Sequence, residues 1–216
     1  MENASEHYTG TRGDEYFEWQ RQIGESGGHI NARKFSRLIK PGDTVLDFGC
    51  GSGAMLASLV CGRRIGVEAN PVARERAAEL GVEMYATLGE VADRCVDVLV
   101  SNHALEHVLN PLGELKAMRR VVSGTLALCL PIDDWRTERH FVSGDQNQHL
   151  FTWTPLLIGN LLVEAGFSVL SANILVHAWP MSWKWLDKRL PVRAFDAVCH
   201  LAAVRRRRRQ VFVVAR

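Results

Sequence analysis

The sequence predicts an α/β fold, a mostly parallel sheet with helices on both faces. Three observations predict it. Apolar runs of strand length alternate with segments of helical periodicity from residue 44 to residue 172, the order that buries a parallel sheet between helices. The first run leads into residues 44–53, TVLDFGCGSG, where an acid is followed by Gly49, Gly51 and Gly53. A length of 216 residues, 47% hydrophobic and 23% charged, suits one domain with a sizeable core.

Residues 1–13 are predicted to be flexible. Residues 15–23 carry Tyr16, Phe17, Trp19 and Ile23 at roughly helical spacing. The glycines of residues 24–28, GESGG, predict a break, and residues 31–39 a second helix with Phe35, Leu38 and Ile39 on one face. Residues 1–40 therefore form an N-terminal helical segment, and Pro41-Gly42-Asp43 a turn into the first strand. After the glycine loop come a helix from Ala54 to Val60, a second strand over 64–68 and a helix from Pro71 that Gly81 stops. A short third strand over 82–85, a brief helix over 90–94 and a buried fourth strand over 96–101 follow.

Leu112, Leu115, Met118 and Arg119 have amphipathic spacing in a helix over 111–122, and a fifth strand occupies 125–130. Residues 132–148 are polar and too long for an ordinary connection, which predicts a loop on the substrate side. A helix over 152–165 is capped by Thr152 or Thr154, started by Pro155 and ended by Gly166, with a sixth strand over 167–172. Residues 210–216, QVFVVAR, are the last strand. The core is thus 41–173 with 210–216, interrupted by a helical insertion at 174–209.

The glycine loop predicts a nucleotide-type cofactor, because glycine takes positive φ and lets a ligand approach bare main chain. Gly49, Gly51 and Ala54 satisfy the dinucleotide spacing G-x-G-x-x-G/A, a weak signal alone, so an NAD-binding oxidoreductase is an alternative. Asp47 argues against it: a carboxylate at the loop repels a pyrophosphate but attracts an ammonium or sulfonium. S-adenosyl-L-methionine carries both cations and no phosphate. Glu68, at the end of the second strand, is placed to accept from ribose hydroxyls.

VLDFGCGSG, GVEANP, DVLVSNHALEHV and LLVEAGF, in this order, resemble the motifs of class I S-adenosylmethionine-dependent methyltransferases. The resemblance covers residues 16–167 and the closing strand, and is greatest to bacterial members that act on small molecules or sugars. It implies a Rossmann-like fold of seven strands, with the C-terminal strand antiparallel between the fifth and sixth. It also implies S-adenosyl-L-methionine as cofactor, held around Asp47, Phe48, Gly49, Cys50, Gly51, Glu68, Ala69 and Asn102, with the leading helices either as its cap or as a cover for the sheet edge. A non-catalytic cofactor-binding partner protein is a further alternative.

Methyl transfer to a hydroxyl or amine needs alignment, exclusion of water and removal of a proton. Four histidines fall in segments expected at the pocket, His103, His107, His140 and His149, and His107 and His149 are the candidate catalytic bases. His103-Ala-Leu-Glu-His107 matches the H-x-x-E-H zinc-protease pattern, which needs a helix rather than the end of a parallel strand. It also matches, with His103 in place of the first glutamate, the ExxEH element that holds a divalent cation in some quinone O-methyltransferases and a small-RNA methyltransferase. The segment LEHV recurs in many metal-free methyltransferases, and no metal is assigned. In residues 145–153, DQNQHLFTW, the polar side chains before a helix form either a substrate edge or turns.

A net charge of +2 argues against a nucleic-acid partner, as does SNHA where base-methylating enzymes carry N/D-P-P-Y, and the run Arg205–Arg209 is the one feature that favours RNA. Five cysteines without a CxxC pair predict reduced thiols and a cytoplasmic protein. The first ten residues lack a signal peptide's pattern, and no apolar run reaches the ~18–20 residues of a membrane span. In the insertion, Trp179, Trp183, Leu186 and Leu190 share one helical face, and Phe195, Val198, Cys199 and Ala202 form a second seam that runs into Arg205–Arg209. This predicts a hairpin packed on the domain or across a homodimer; the alternative is a surface over 179–209 resting on anionic lipid.

Overall fold

A computed structural model describes residues 6–8, 10–134, 136 and 139–216, without the side chains of Glu6, Gln22 and Ile23. Ile23, counted in the predicted helical spacing, thus lies outside the described side chains. The seven strands are β1 (Thr44–Phe48), β2 (Arg63–Val67), β3 (Glu83–Tyr85), β4 (Val96–Asn102), β5 (Val122–Ile132), β6 (Val169–Leu175) and β7 (Arg209–Ala215). They form one sheet in the order β3-β2-β1-β4-β5-β7-β6. Only β7 is antiparallel to its neighbours β5 and β6, as the resemblance implied.

Strand periodicity divides the core. Leu46, Leu99, Leu126 and Leu128 face the helices α4 (Pro111–Val121) and α5 (Pro155–Glu164), meeting Leu115, Met118, Ile158 and Leu162. The alternate residues Val45, Val98, Val100 and Ala127 face the other way, toward Phe35, Leu56 and Ala77. Those come from α1 (Gly10–Phe35), α2 (Ala54–Ala57) and α3 (Pro71–Glu79). Each of α3, α4 and α5 starts with proline after a capping residue: Asn70 accepts from Ala73 N, Asn110 from Gly113 N and Thr154 from Leu157 N. Thr152, the other predicted cap, instead accepts from Asp133 N.

Several expectations are corrected. The two leading helices are one: α1 runs through Gly24, Gly27 and Gly28 without a break. Gly27 and Gly28 serve close packing. A Cβ on Gly28 would lie 2.6 Å from the Ala54 carbonyl carbon, and one on Gly27 would collide with the Trp179 ring. Residues Glu6–Tyr8 form a 3₁₀ turn and Gly10 opens α1, so the described part of residues 1–13 is ordered against the domain. The brief helix expected over 90–94 is a 3₁₀ turn at Leu88–Glu90, and Arg94 has φ of 52°. The helix after the glycine loop ends at Ala57 rather than Val60.

The insertion is a hairpin of α6 (Trp183–Asp187) and α7 (Val192–Arg206). Its first helix is shorter than predicted because Pro180 follows Trp179 and cannot donate within a helix. Trp179 and Trp183 nonetheless turn inward, packing with Leu186 and Leu190 on Ile30 and Phe195. The Asp187 carboxylate ties α6 to α1 through His29 Nε2 at 2.7 Å. Tryptophans needed for a lipid-facing surface are therefore spent on packing, and Trp185 alone of the three in 179–185 is exposed, at 56%. No helix among the described residues is long and apolar enough to cross a membrane.

Candidate functional site

The glycine loop folds across the carboxyl ends of β1 and β2. Gly49, Gly51 and Gly53 all have left-handed φ, 73°, 53° and 76°, and Gly49 N donates to Val67 O at 2.8 Å. A Cβ on Gly49 would strike the Ala104 methyl, so this position also permits β1 and the segment after β4 to meet. The four residues of α2 give little helix dipole, and the loop presents its own backbone instead.

Beside this loop lies a cavity of about 540 Å³. Of the predicted cofactor residues, Phe48, Gly49, Gly51, Glu68 and Ala69 line it. Asp47 and Cys50 do not: Asp47 is 2% exposed at the end of β1, and Cys50 turns its thiol into the core against Gly66. Asn102 lines a second cavity, of about 280 Å³. Glu68 is fixed by two backbone donors, Gly51 N at 3.0 Å and Asn70 N at 2.9 Å. Arg74 Nη1 holds the same turn through the carbonyls of Glu68 and Ala69. Burial pushes the Glu68 carboxyl above its usual range, opposed by those backbone N–H groups. Asp47 is raised further by burial and then by the charge of Glu68. Two acids in a desolvated corner make a place for a cation.

The two cavities meet at Tyr16, Gln20, His103 and His107. The candidate bases come together there: the rings of His107 and His149 are 5.1 Å apart. His107 Nδ1 is 2.6 Å from Tyr8 Oη, which donates to Asn147 O at 2.7 Å. His149 Nδ1 is 2.9 Å from Asp133 Oδ2. Burial, then the charge of His149, lowers His107 to about 4. Burial also disfavours the charged form of His149, but the hydrogen bond and charge of Asp133, aided by Glu106 and Asp145, outweigh it and raise its pKa. His103 sits at φ of 57°, an uncommon conformation for a non-glycine residue, and burial lowers it to about 3. His140 is exposed and lines neither cavity. Asp145 shapes a turn, accepting from Asn147 N and Gln148 N, while Asn147 and His149 line the smaller cavity.

Glu106 lies between His103 Nδ1, at 3.7 Å, and His107 Nε2, at 3.8 Å. It is fully buried, and neither carboxylate oxygen has a hydrogen-bond partner among the described residues. Burial raises it to about 8. Sequence reasoning missed three residues here. Tyr8 lies in the stretch predicted to be flexible, Lys34 in the second predicted leading helix, off the apolar face that was singled out, and Asp133 in the predicted irregular loop. Lys34 Nζ donates to Asn102 Oδ1 at 2.9 Å and Gln210 Oε1 at 3.1 Å, on the wall of the smaller cavity. The signal for Asp133 was its position just past the carboxyl end of β5, where ligands bind in such sheets.

The sequence matches the methyltransferase domain family over residues 20–172. It is 35% identical over 132 residues to ribosomal protein L11 methyltransferase of Cupriavidus necator, covering 48% of this chain and 43% of that protein. The same protein of Cupriavidus taiwanensis is 35% identical over 149 residues, 54% of this chain and 49% of the relative. The chain thus spans less than half the length of these curated relatives. Among solved structures, the methyltransferase in complex with the Haloferax volcanii Trm112 methyltransferase activator superposes with a TM-score of 0.64 at 18% identity, over 93% of this chain and 96% of that one. Geranyl diphosphate C-methyltransferase of Streptomyces coelicolor, with Mg²⁺, geranyl diphosphate and S-adenosyl-L-homocysteine, gives 0.60 at 13% identity, over 88% and 77%. Sequence match, sheet order and glycine loop agree: the chain belongs to the class I S-adenosylmethionine-dependent methyltransferases.

Proposed function

We propose that this chain transfers the methyl group of S-adenosylmethionine to an oxygen or nitrogen of a small molecule or sugar in the smaller cavity. One observation carries this: the cavity beside the glycine loop adjoins a second, histidine-lined one along the shared wall of Tyr16, Gln20, His103 and His107. The residues fit the cofactor. Glu68 keeps lone pairs beyond its two backbone bonds for ribose hydroxyls, and Asp47 with Glu68 forms an acidic corner that an ammonium or sulfonium would relieve. Phe48, Gly49, Gly51 and Ala69 supply the contour of the site, and Asn102 the edge toward the acceptor. When bound, the cofactor supplies a methyl group on a sulfonium, already a good leaving group.

The protein's own work is then orientation, exclusion of water and removal of the acceptor's proton. We assign proton removal to the wall where His107 and His149 meet. Tyr8 and Asn147 close this wall from outside, and α1 is the proposed cap over both cavities. Relatives named for ribosomal protein L11 keep a protein acceptor as a second reading. The cavity of about 280 Å³ favours a small acceptor or a single side chain. The hairpin at 174–209 is assigned to packing. Transfer of tritiated methyl from labelled cofactor into fractionated cell extract tests the proposal. Label should enter a small-molecule fraction and be lost with Glu68→Ala. Cofactor binding without transfer into any fraction would mark a non-catalytic binder.

A further inference from the structure

The sequence motif offered His103, Glu106 and His107 as a metal set; the fold supplies a different trio. One ligand atom each of Glu106, His107 and His149 lies within 4.8 Å of the other two. We propose that these three side chains hold a divalent transition-metal ion at the wall between the cavities, and that it binds the oxygen of a hydroxyl acceptor. This deepens the proposed function and rests on the smaller cavity being the acceptor site.

Three observations carry it. Glu106 is 0% exposed and both its oxygens lack hydrogen-bond partners among the described residues, a costly state for a carboxylate without a counter-ion. Both histidines have Nδ1 engaged from behind, His149 by the Asp133 carboxylate at 2.9 Å and His107 by the Tyr8 hydroxyl at 2.6 Å. A metal-bound histidine is usually held this way, its other ring nitrogen donating to a carboxylate or a second acceptor. The other ring nitrogen of His107, Nε2, is the atom 3.8 Å from Glu106 Oε1. Finally, the set is chemically apt. Two imidazoles and one carboxylate suit zinc, iron or cobalt better than magnesium, and three protein ligands leave open positions. A hydroxyl bound at an open position is acidified, its proton passing to solvent, so the imidazoles act here as ligands rather than bases. The acceptors expected are hydroxyl compounds, above all those with a second oxygen close enough to chelate.

Co²⁺ alone, added to chelator-treated full-length protein and followed by visible absorption and calorimetry, tests the site. One ion per chain should bind, with d–d bands that report imidazole ligation. Glu106→Gln and His149→Ala should each weaken binding at least about tenfold. Asp133→Asn, which reaches the ion only through His149, should weaken it by about 10–100-fold. No stoichiometric Co²⁺ binding, or binding unchanged in His149→Ala, overturns the site; His149→Ala decides should Glu106→Gln fail to fold. The same preparations are titrated with S-adenosylhomocysteine in EDTA. Cofactor binding without Co²⁺ binding removes the ion alone, whereas loss of both removes the methyltransferase reading.

Discussion

The hydroxyl of Tyr8 lies 2.6 Å from Nδ1 of His107, joining the start of the chain to the segment after β4. The same hydroxyl donates to Asn147 O, so a proton on His107 Nδ1 is the one that completes the contact. Tyr8→Phe keeps the ring contacts with Tyr16 and His107, both at 4.8 Å, and removes the hydroxyl's bonds to His107 and Asn147. Stability should fall by about 1 kcal/mol, with a larger loss in turnover than in cofactor affinity. Urea unfolding and steady-state kinetics with a methyl acceptor check both.

Gly28→Ala should destabilise although alanine is ordinarily the better helix former. In an open helix the exchange gains about 0.5–1 kcal/mol. Here the new methyl would sit 2.6 Å from the Ala54 carbonyl, and moving α1 off the loop costs roughly 1–3 kcal/mol. A lowered midpoint in thermal unfolding, with weaker S-adenosylhomocysteine binding, is expected. A raised midpoint would show that α1 does not pack on the loop.

Asp47→Asn should weaken cofactor binding by roughly 1.5–3 kcal/mol while stabilising the cofactor-free protein at neutral pH. Burial, then Glu68, raises the folded Asp47 carboxyl above its unfolded value of 3.8. An acid raised in the folded state binds protons more readily there, so its cost is absent below the unfolded pKa. The cost grows as pH rises toward the folded one. The stability difference between variant and wild type should therefore be small near pH 4 and widen toward neutral pH. Thermal unfolding across that range checks the sign.

His149→Ala should lower turnover by about 100-fold or more and leave S-adenosylhomocysteine affinity within about twofold. The residue faces the smaller cavity and does not line the larger one. Equal losses in turnover and cofactor binding would place it on the cofactor side.

Trp179→Ala should cost roughly 2–3 kcal/mol, because the ring packs on Gly27 and Trp183 rather than facing outward. Were the hairpin a lipid surface, the same change would weaken co-sedimentation with anionic liposomes and leave stability unchanged.

Periodicity and turn chemistry made the sheet legible. Proline after Asn70, Asn110 and Thr154 marked three helix starts, and the apolar runs marked the strands within a few residues. The single helix α1 was not legible, since glycines at 24, 27 and 28 mean a break unless Trp179 is known to press on Gly27 and Ala54 on Gly28. Local pattern cannot report a neighbour that arrives from elsewhere in the chain. The cavity proposed for the cofactor was legible for the same local reason: Gly49, Gly51 and Glu68, which line it, lie in two short contiguous motifs. The cavity proposed for the acceptor was only half legible. His107 and His149 could be named, but Tyr8 and Asp133 reach them, and Lys34 reaches Asn102, only through tertiary packing.

Calorimetric titration of the protein with S-adenosylhomocysteine, and separately with NAD, tests the central claim most directly. One site per chain for S-adenosylhomocysteine is expected, weakened about tenfold or more by Glu68→Ala, with no heat from NAD. Binding of NAD with none of S-adenosylhomocysteine, or affinity indifferent to Glu68→Ala, would contradict the assignment of the cofactor to the glycine-loop cavity.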